Sequence, residues 1–176
     1  MSKGINRAKK HEIYENANLL KSCVFISHKY EDLRAAKEIA ACIMDAGIDT
    51  YLDDNDNGLQ SAVKNNNSYR IVECIENALM ASTHILVLVT ENTRESWWVP
   101  YEVGYAKKGT KEIASILMKD VDEFPDYLKI EKTMTGYEGF LDYINDIEHL
   151  HSIFESVDQW TVDLHKEQLL KYIRQK

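Results

Sequence analysis

The stretch His84-Ile85-Leu86-Val87-Leu88-Val89-Thr90 decides the fold class, because its apolar residues are continuous rather than alternating with polar ones. A strand with this pattern is buried on both faces and lies near the centre of a parallel sheet. Cys23-Val24-Phe25-Ile26-Ser27 has the same character and predicts a second buried strand. Shorter apolar runs predict three further strands, over residues 48–52, 113–118 and 128–134.

Amphipathic helices separate these strands. Apolar residues recur at intervals of three and four over residues 33–44 and 71–79, and a helix is predicted from about Trp97 to Lys108. Gly47 follows the first of these helices, where a left-handed residue is favoured. Strands that alternate with helices imply right-handed crossovers and a sheet covered on both faces. The sequence therefore predicts an α/β, flavodoxin-like three-layer sandwich with a central parallel five-stranded sheet, plus C-terminal helices.

We predict three segments along the chain: an N-terminal extension over 1–21, an α/β domain over 22–135, and a C-terminal helical extension over 136–176 that packs on this domain. The first segment has weak helical spacing, and the last has the pattern of two helices with a break near Asp158. A loop without apolar periodicity is predicted from Asp53 to Asn67. Loops of this length are uncommon unless they are functional or disordered.

Composition narrows the function. The 176-residue chain has 21 basic and 29 acidic residues, so its formal net charge is −8. This balance argues against a dedicated nucleic-acid binder and against an anionic membrane surface as partner. The three cysteines lie in separate apolar runs without a CxxC pair, so we expect buried free thiols and no metal site. No apolar run approaches the roughly 20 residues of a membrane span, and we expect a cytoplasmic protein.

Ligands of doubly wound folds bind at the carboxyl ends of the strands. The helix after the third strand opens with Ser96-Trp97-Trp98-Val99-Pro100-Tyr101-Glu102. Because Pro100 is tolerated only in a first helical turn, Glu102 is expected near the positive end of the helix dipole, which favours an ionised carboxylate. Trp98 and Glu102 are four residues apart and share one face. A carboxylate beside an aromatic plate suits a sugar with an attached flat base.

The residues alone leave simpler interpretations open. In one, both tryptophans belong to the core and Glu102 is a solvated helix charge. Ser27 and His28 follow the first strand and could donate hydrogen bonds to a ligand phosphate or ribose. Without further support, simple capping and turn chemistry is the favoured role for these two residues.

An acidic cluster ends the second strand, at Asp53, Asp54 and Asp56, and would suit a divalent ion in a receiver-like site. A receiver domain needs an acceptor aspartate at the end of its third strand, where this chain has Thr90, so that interpretation fails. Neither GxGxxG nor GxxxxGK[ST] occurs, which disfavours ordinary dinucleotide and P-loop binding. A GxSxG nucleophile elbow is also missing from the sequence.

Taken together, four segments resemble those of bacterial TIR domains, in the family's order: residues 25–32, the acidic loop that opens after Tyr51-Leu52-Asp53-Asp54, residues 84–90 and residues 96–102. The resemblance extends over about residues 23–134. It implies a flavodoxin-like fold and cleavage of NAD⁺ by the glutamate four residues after the helix-opening tryptophan, which by position is Glu102 after Trp98.

The resemblance also implies which residues act and what they bind. NAD⁺ is expected as substrate, with no separate cofactor, and Glu102 as the catalytic residue. We expect five residues to bind the substrate: Ser27, His28, Asp53, Trp98 and Tyr101. The loop over 53–67 matches the BB loop of TIR domains, which gates the pocket and mediates assembly, so self-association is expected.

Free-standing bacterial TIR proteins resemble ThsB, the signal-producing component of Thoeris anti-phage defence. This implies an enzyme that releases nicotinamide and makes a cyclic or conjugated ADP-ribose derivative, which a separate effector senses. Two alternatives stay open. A non-catalytic TIR adaptor would depend on the BB loop near Gly58 and Leu59 rather than on Glu102. An enzyme resembling nucleoside deoxyribosyltransferases would release free base from deoxynucleosides.

Overall fold

A computed structural model describes residues 3–9, 21–149 and 164–175. Its centre is a five-stranded sheet with the order β2-β1-β3-β4-β5, in which every neighbouring pair is parallel. This confirms the predicted flavodoxin-like α/β fold. The strands are β1 (Cys23–Ser27), β2 (Asp49–Tyr51), β3 (His84–Val89), β4 (Glu112–Leu117) and β5 (Lys132–Met134).

Helices connect the strands as predicted, with some differences at their ends. The fifth strand is shorter than the predicted span of 128–134, because a helical turn follows Pro125 and occupies its first part. Gly47 has a φ of 88°, as predicted for the residue that follows the first helix. The helices are α1 (Leu33–Asp45), α2 (Asn57–Lys64), α3 (Ser68–Met80), α4 (Glu91–Arg94), α5 (Trp98–Lys108), α6 (Asp126–Lys129) and α7 (Gly136–His149), followed by a helical turn at Lys166–Leu169.

Two hydrophobic cores cover the two faces of the sheet, since successive strand residues point to opposite faces. One core joins the strands to α1 and α7, and includes Val24, Ile26, Leu86, Leu88, Ile39 and Phe140. The other joins them to α3 and α5, and includes Cys23, Phe25, Ile85, Val87, Ile75 and Val103. The sheet is thus the middle layer of three.

The segment over residues 53–67 differs from the predicted loop, because most of it is helical. Asp56 caps α2: one oxygen of its carboxylate accepts hydrogen bonds from the backbone N–H groups of Gly58, at 2.8 Å, and Leu59, at 3.0 Å. Leu59 packs against the core and Ala62 is buried. These two residues form too narrow an apolar stripe to show a clear periodicity in the sequence. The start of the helix depends instead on the cap by Asp56.

The N-terminal segment over residues 3–9 lies against β2. Asn6 forms a parallel bridge with Thr50, whose N–H donates to the carbonyl of Ile5 at 2.9 Å. Beneath it, the Arg7 guanidinium donates to Asp49 at 3.0 Å, and both side chains are more than nine-tenths buried. These contacts give the edge strand of the sheet a partner within the chain.

The C-terminal residues also contact the sheet and its core. Phe140 and Ile144 of α7 are almost fully buried, and Ile173 forms an antiparallel bridge with Met118. The predicted leading helix around Ile13–Leu20 and the predicted helix break near Asp158 lie outside the described residues. As predicted, the three cysteines are buried free thiols. Across the described ranges, no helix is long and apolar enough to cross a membrane.

Candidate active site

The candidate residues lie where the chain reverses its direction across the sheet. β1 pairs with β3, while the connections from β1 to β2 and from β3 to β4 run to opposite sides. In open α/β sheets this switch point opens a crevice at the carboxyl ends of the strands. Ser27 is the last residue of β1, His28 follows it, and Asp53 lies just beyond β2.

Helix α5 places Glu102 against this edge of the sheet. The Ser96 hydroxyl accepts hydrogen bonds from the backbone N–H groups of Trp98 and Val99, at 3.3 and 3.2 Å, and so satisfies two N–H groups in the first turn of the helix. Pro100 lies in the first turn, as predicted. Glu102 follows that turn and is only 7% exposed. It is therefore not the solvated helix charge of the simpler interpretation.

Ser27 and Glu102 meet in a buried hydrogen bond. The Ser27 hydroxyl donates to Oε2 of Glu102 at 2.5 Å, and Ser27 is 1% exposed. Successive side chains of β1 point to opposite faces of the sheet, so Ser27 points to the same face as Cys23 and Phe25. The side chains of Cys23 and Phe25 pack in the core beneath α3 and α5, which is the face on which Glu102 lies.

Burial overrides the helix dipole in setting the charge of Glu102. Desolvation raises the pKa of Glu102 from 4.5 to about 7, the Ser27 hydrogen bond opposes this rise, and the charge of Asp53 adds to it. The carboxylate is therefore only partly ionised in the free protein at neutral pH, whereas the helix dipole alone predicts an ionised one. The helix dipole lowers the pKa of Glu102 only weakly, because its effect is confined to the first turn and Glu102 lies beyond that turn. Desolvation has the larger effect, because burial removes the full negative charge from water.

His28 and Asp53 form a second pair at the same edge. Nδ1 of His28 donates to the Ile26 carbonyl at 3.0 Å, since a carbonyl oxygen can only accept, and Nε2 lies 3.7 Å from Oδ1 of Asp53. The His28 side chain is 3% exposed and that of Asp53 is 39% exposed. Desolvation raises the pKa of Asp53, and the neighbouring charge of His28 opposes this rise.

Trp97 and Trp98, at the start of α5, lie at the protein surface rather than in the core. Trp97 is 92% exposed and Trp98 is 40% exposed, so the interpretation that both belong to the core is wrong. Trp98 meets the Tyr101 ring edge-on at 6.1 Å between centroids. The Tyr101 hydroxyl donates to Glu76 of α3 at 2.5 Å, which ties it to the neighbouring helix. Tyr101 thus contacts Trp98 and α3, one position before Glu102.

A comparison with protein families finds that residues 25–123 match the family described as Thoeris protein ThsB, TIR-like domain. The matched segment is more than half of the 176-residue chain. The chain belongs to this family. A comparison with curated proteins gives no match. The ThsB TIR-like segment includes Ser27, His28, Asp53, Trp98 and Glu102, and it places the chain in a family of Thoeris anti-phage defence.

Two side-chain hydrogen bonds of this ThsB TIR-like domain connect two of the segments that follow its strands. Asp32 does not cap α1 with its side chain. Its carboxylate instead accepts hydrogen bonds from the Thr90 hydroxyl at 2.7 Å and the Asn92 amide at 2.8 Å. These bonds join the segment after β1 to the segment after β3. These two hydrogen bonds could not be predicted from the sequence, since Thr90 and Asn92 are about 60 positions away from Asp32.

The acidic cluster of the ThsB TIR-like domain is divided among separate partners. Asp54 pairs with Lys37 at 2.7 Å, and Asp56 accepts from the Tyr51 hydroxyl at 2.6 Å while it caps α2. Over residues 3–9, 21–149 and 164–175, no three His, Cys, Asp or Glu side chains are grouped to hold a metal ion. Asp53 is the member of the cluster whose charge acts on Glu102.

Proposed function

We propose that this protein cleaves the bond between nicotinamide and ribose in NAD⁺, with Glu102 as the catalytic residue. The observation that supports this most strongly is the burial of Glu102 at the carboxyl edge of the sheet, one helical turn after Trp98 and in contact with Ser27. Membership in the ThsB TIR-like family supports the same chemistry. We also propose that His28, Asp53, Trp98 and Tyr101 line the substrate site, and that Ser27 belongs to it through its contact with Glu102.

A single carboxylate is sufficient for this reaction. When the bond from the ribose C1′ breaks, its electron pair neutralises the pyridinium nitrogen, so the leaving group needs no proton from the enzyme. Glycosidases need a general acid because their leaving group is an alkoxide. The positive charge that develops on the ribose is stabilised by a carboxylate already fixed in place. A hydroxyl nucleophile then forms the new C1′–O bond, and Glu102 accepts its proton.

The raised pKa of Glu102 fits a cationic substrate. A carboxylate that ionises near neutral pH in the free protein is easier to ionise beside a pyridinium, because an opposite charge favours the ionised form. In a partly desolvated site the attraction between these charges exceeds its value in water. Part of the binding energy of NAD⁺ thus ionises Glu102, which is then available for the bond-breaking step.

We propose that the product is an ADP-ribose-derived nucleotide, cyclic or conjugated, which acts as a signal in anti-phage defence. Exclusion of water from the site decides between hydrolysis and capture by another nucleophile. A signal of this kind requires a separate effector protein that senses it. We further propose a cytoplasmic location, where NAD⁺ is present, and self-association through the segment over residues 53–67.

The test is incubation of the purified protein with NAD⁺, followed by mass analysis of the nucleotides. We expect free nicotinamide and an ADP-ribose derivative from the wild type. Glu102→Gln is expected to lower turnover by about 10²–10³-fold, the usual cost of losing one preorganised electrostatic stabiliser. The matched control is Glu95→Gln, because the Glu95 side chain is 83% exposed and lies just before α5.

Three outcomes would contradict the proposal. Wild-type turnover in a correctly folded Glu102→Gln protein would remove Glu102 from the reaction. Release of free base from deoxynucleosides, with NAD⁺ left intact, would favour the transferase chemistry instead. Defence activity that persists in Glu102→Gln but is lost on changing Gly58 or Leu59 would indicate an adaptor.

A further inference from the structure

The two oxygens of the Glu102 carboxylate have different surroundings. Oε2 accepts the hydroxyl proton of Ser27 at 2.5 Å. Among the residues that the structure describes, none donates a hydrogen bond to Oε1. A carboxylate oxygen to which the protein donates no hydrogen bond can accept one from a bound molecule. The arrangement therefore leaves one oxygen occupied by the protein and one open for another molecule.

Ser27 is placed to hold this carboxylate in one orientation. It ends β1, the strand that lies between β2 and β3, and its own side chain is 1% exposed. Glu102 is in the interior of α5, whose Val99, Val103 and Ala106 are buried on the same stripe. A hydrogen bond between a central strand and a packed helix restricts the rotation of the Glu102 side chain far more than a contact with a mobile loop would.

We propose that Ser27 is a positioning residue, which holds Oε2 of Glu102 so that Oε1 faces the ribose of the substrate. This inference rests on the proposed function. It differs from a direct contact between Ser27 and the substrate, because the hydroxyl proton of Ser27 is already donated to Glu102. A carboxylate held within a fraction of an ångström can contribute preorganised stabilisation, whereas a freely rotating one must be ordered during the reaction.

The same bond affects the charge of Glu102. A donor that hydrogen-bonds the ionised form favours it, so Ser27 opposes the rise of the Glu102 pKa that burial causes. Asp53, which lies beyond β2, acts in the opposite direction through its negative charge, and His28 pairs with Asp53 at 3.7 Å. Without the Ser27 hydroxyl, desolvation and the charge of Asp53 are therefore expected to raise the pKa of Glu102 further.

The test compares Ser27→Ala with Ser115→Ala. Ser115 is a matched control, because it is also a fully buried serine in the same sheet, but its hydroxyl has no hydrogen-bond partner within the part of the chain that the structure describes. Carbon-13 NMR of the glutamate carboxyl groups measures the ionisation of Glu102, whose signal is assigned by its loss in Glu102→Gln. This measurement needs no catalytic activity.

We expect the titration midpoint of Glu102 to move up by about one pH unit in Ser27→Ala and to stay unchanged in Ser115→Ala. Ser27→Cys, which keeps a weaker donor, is expected to fall between Ser27→Ala and the wild type. Turnover of NAD⁺ by Ser27→Ala at pH 7 is expected to fall about fivefold from lost ionisation alone. At pH 9, where Glu102 is mostly ionised in both proteins, the remaining deficit measures lost orientation.

Failure of the two proposals is distinguishable. A wild-type protein that leaves NAD⁺ intact contradicts the proposed function, while the titration still reports on the contact between Ser27 and Glu102. Equal midpoints in the wild type and Ser27→Ala would overturn the inference. Full recovery of wild-type turnover by Ser27→Ala at pH 9 would also overturn it, because Ser27 would then tune ionisation without orienting the carboxylate.

Discussion

The buried carboxylate of Glu102 makes the fold less stable than a neutral side chain of the same shape would. Folding raises the pKa of Glu102 from 4.5 to about 7, and each pKa unit corresponds to about 1.4 kcal/mol. The ionised carboxylate therefore lowers the free energy of unfolding by about 3 kcal/mol at pH 8. Gln has nearly the same shape, and its side-chain oxygen can still accept the hydrogen bond from Ser27. Glu102→Gln is therefore expected to be more stable than the wild type at pH 8.

The pH dependence has a definite sign. Below pH 4.5 the carboxyl group is protonated in both the folded and the unfolded chain, so it contributes no difference. Between pH 4.5 and about 7 the unfolded chain loses this proton while the folded chain keeps it, so the stability of the wild type falls as the pH rises. Above about pH 7 the penalty is complete. The stability gap between Glu102→Gln and the wild type should therefore open across this window.

Urea unfolding at pH 4.5, 6 and 8 measures this gap. Glu95→Gln is the control, because the exposed Glu95 side chain should give a small gap that does not change with pH. A gap for Glu102→Gln that is absent at pH 8, or the same at all three pH values, would refute the reasoning. Glu102 would then titrate as an ordinary surface carboxylate, and the desolvated site would not exist.

Two further predictions concern the edge strand β2 and the tryptophans at the start of α5. Arg7→Ala is expected to destabilise the fold by about 1–3 kcal/mol in urea unfolding, because the buried Asp49 carboxylate loses its charge-assisted hydrogen bond to the guanidinium but keeps Lys21 as a partner at 2.7 Å. Arg70→Ala, which breaks an exposed pair, should change little, and an equal loss in both variants would contradict the assignment. Trp98→Ala is expected to raise the KM for NAD⁺ about tenfold by removing a stacking surface, whereas Trp97→Ala should leave the KM unchanged. A raised KM in Trp97→Ala and an unchanged KM in Trp98→Ala would mean that the substrate does not bind beside Trp98.

The apolar pattern of the strands was sufficient to predict the sheet. Each residue of His84–Val89 and Cys23–Ser27 is buried, so both faces of these strands are visible in the sequence as continuous apolar runs. Helix α2 was not predictable in the same way, because its start depends on one side chain, Asp56, rather than on a wide apolar stripe. A helix cap of this kind is made by one side chain and adds nothing to the pattern of apolar residues from which helices are predicted.

The burial of Glu102 has a signal in the sequence that the spacing to Trp98 alone does not give. Val99, Glu102, Val103 and Ala106 occupy positions i, i+3, i+4 and i+7, which is the inward stripe of a helix. A carboxylate in such a stripe is expected to be buried, and hence to have a raised pKa. The Ser27 contact needs in addition the pairing of strands and the packing of α5, which are properties of the assembled fold.

The most direct measurement of the central claim is a crystal structure of Glu102→Gln with NAD⁺ bound. The variant keeps the shape of the site while slowing cleavage. We expect the C1′ atom of the nicotinamide ribose within about 4 Å of the residue 102 side chain, close to the near-attack distance, with Trp98 beside the nicotinamide or its ribose. NAD⁺ bound away from this edge of the sheet, with residue 102 out of reach of the ribose, would contradict the account.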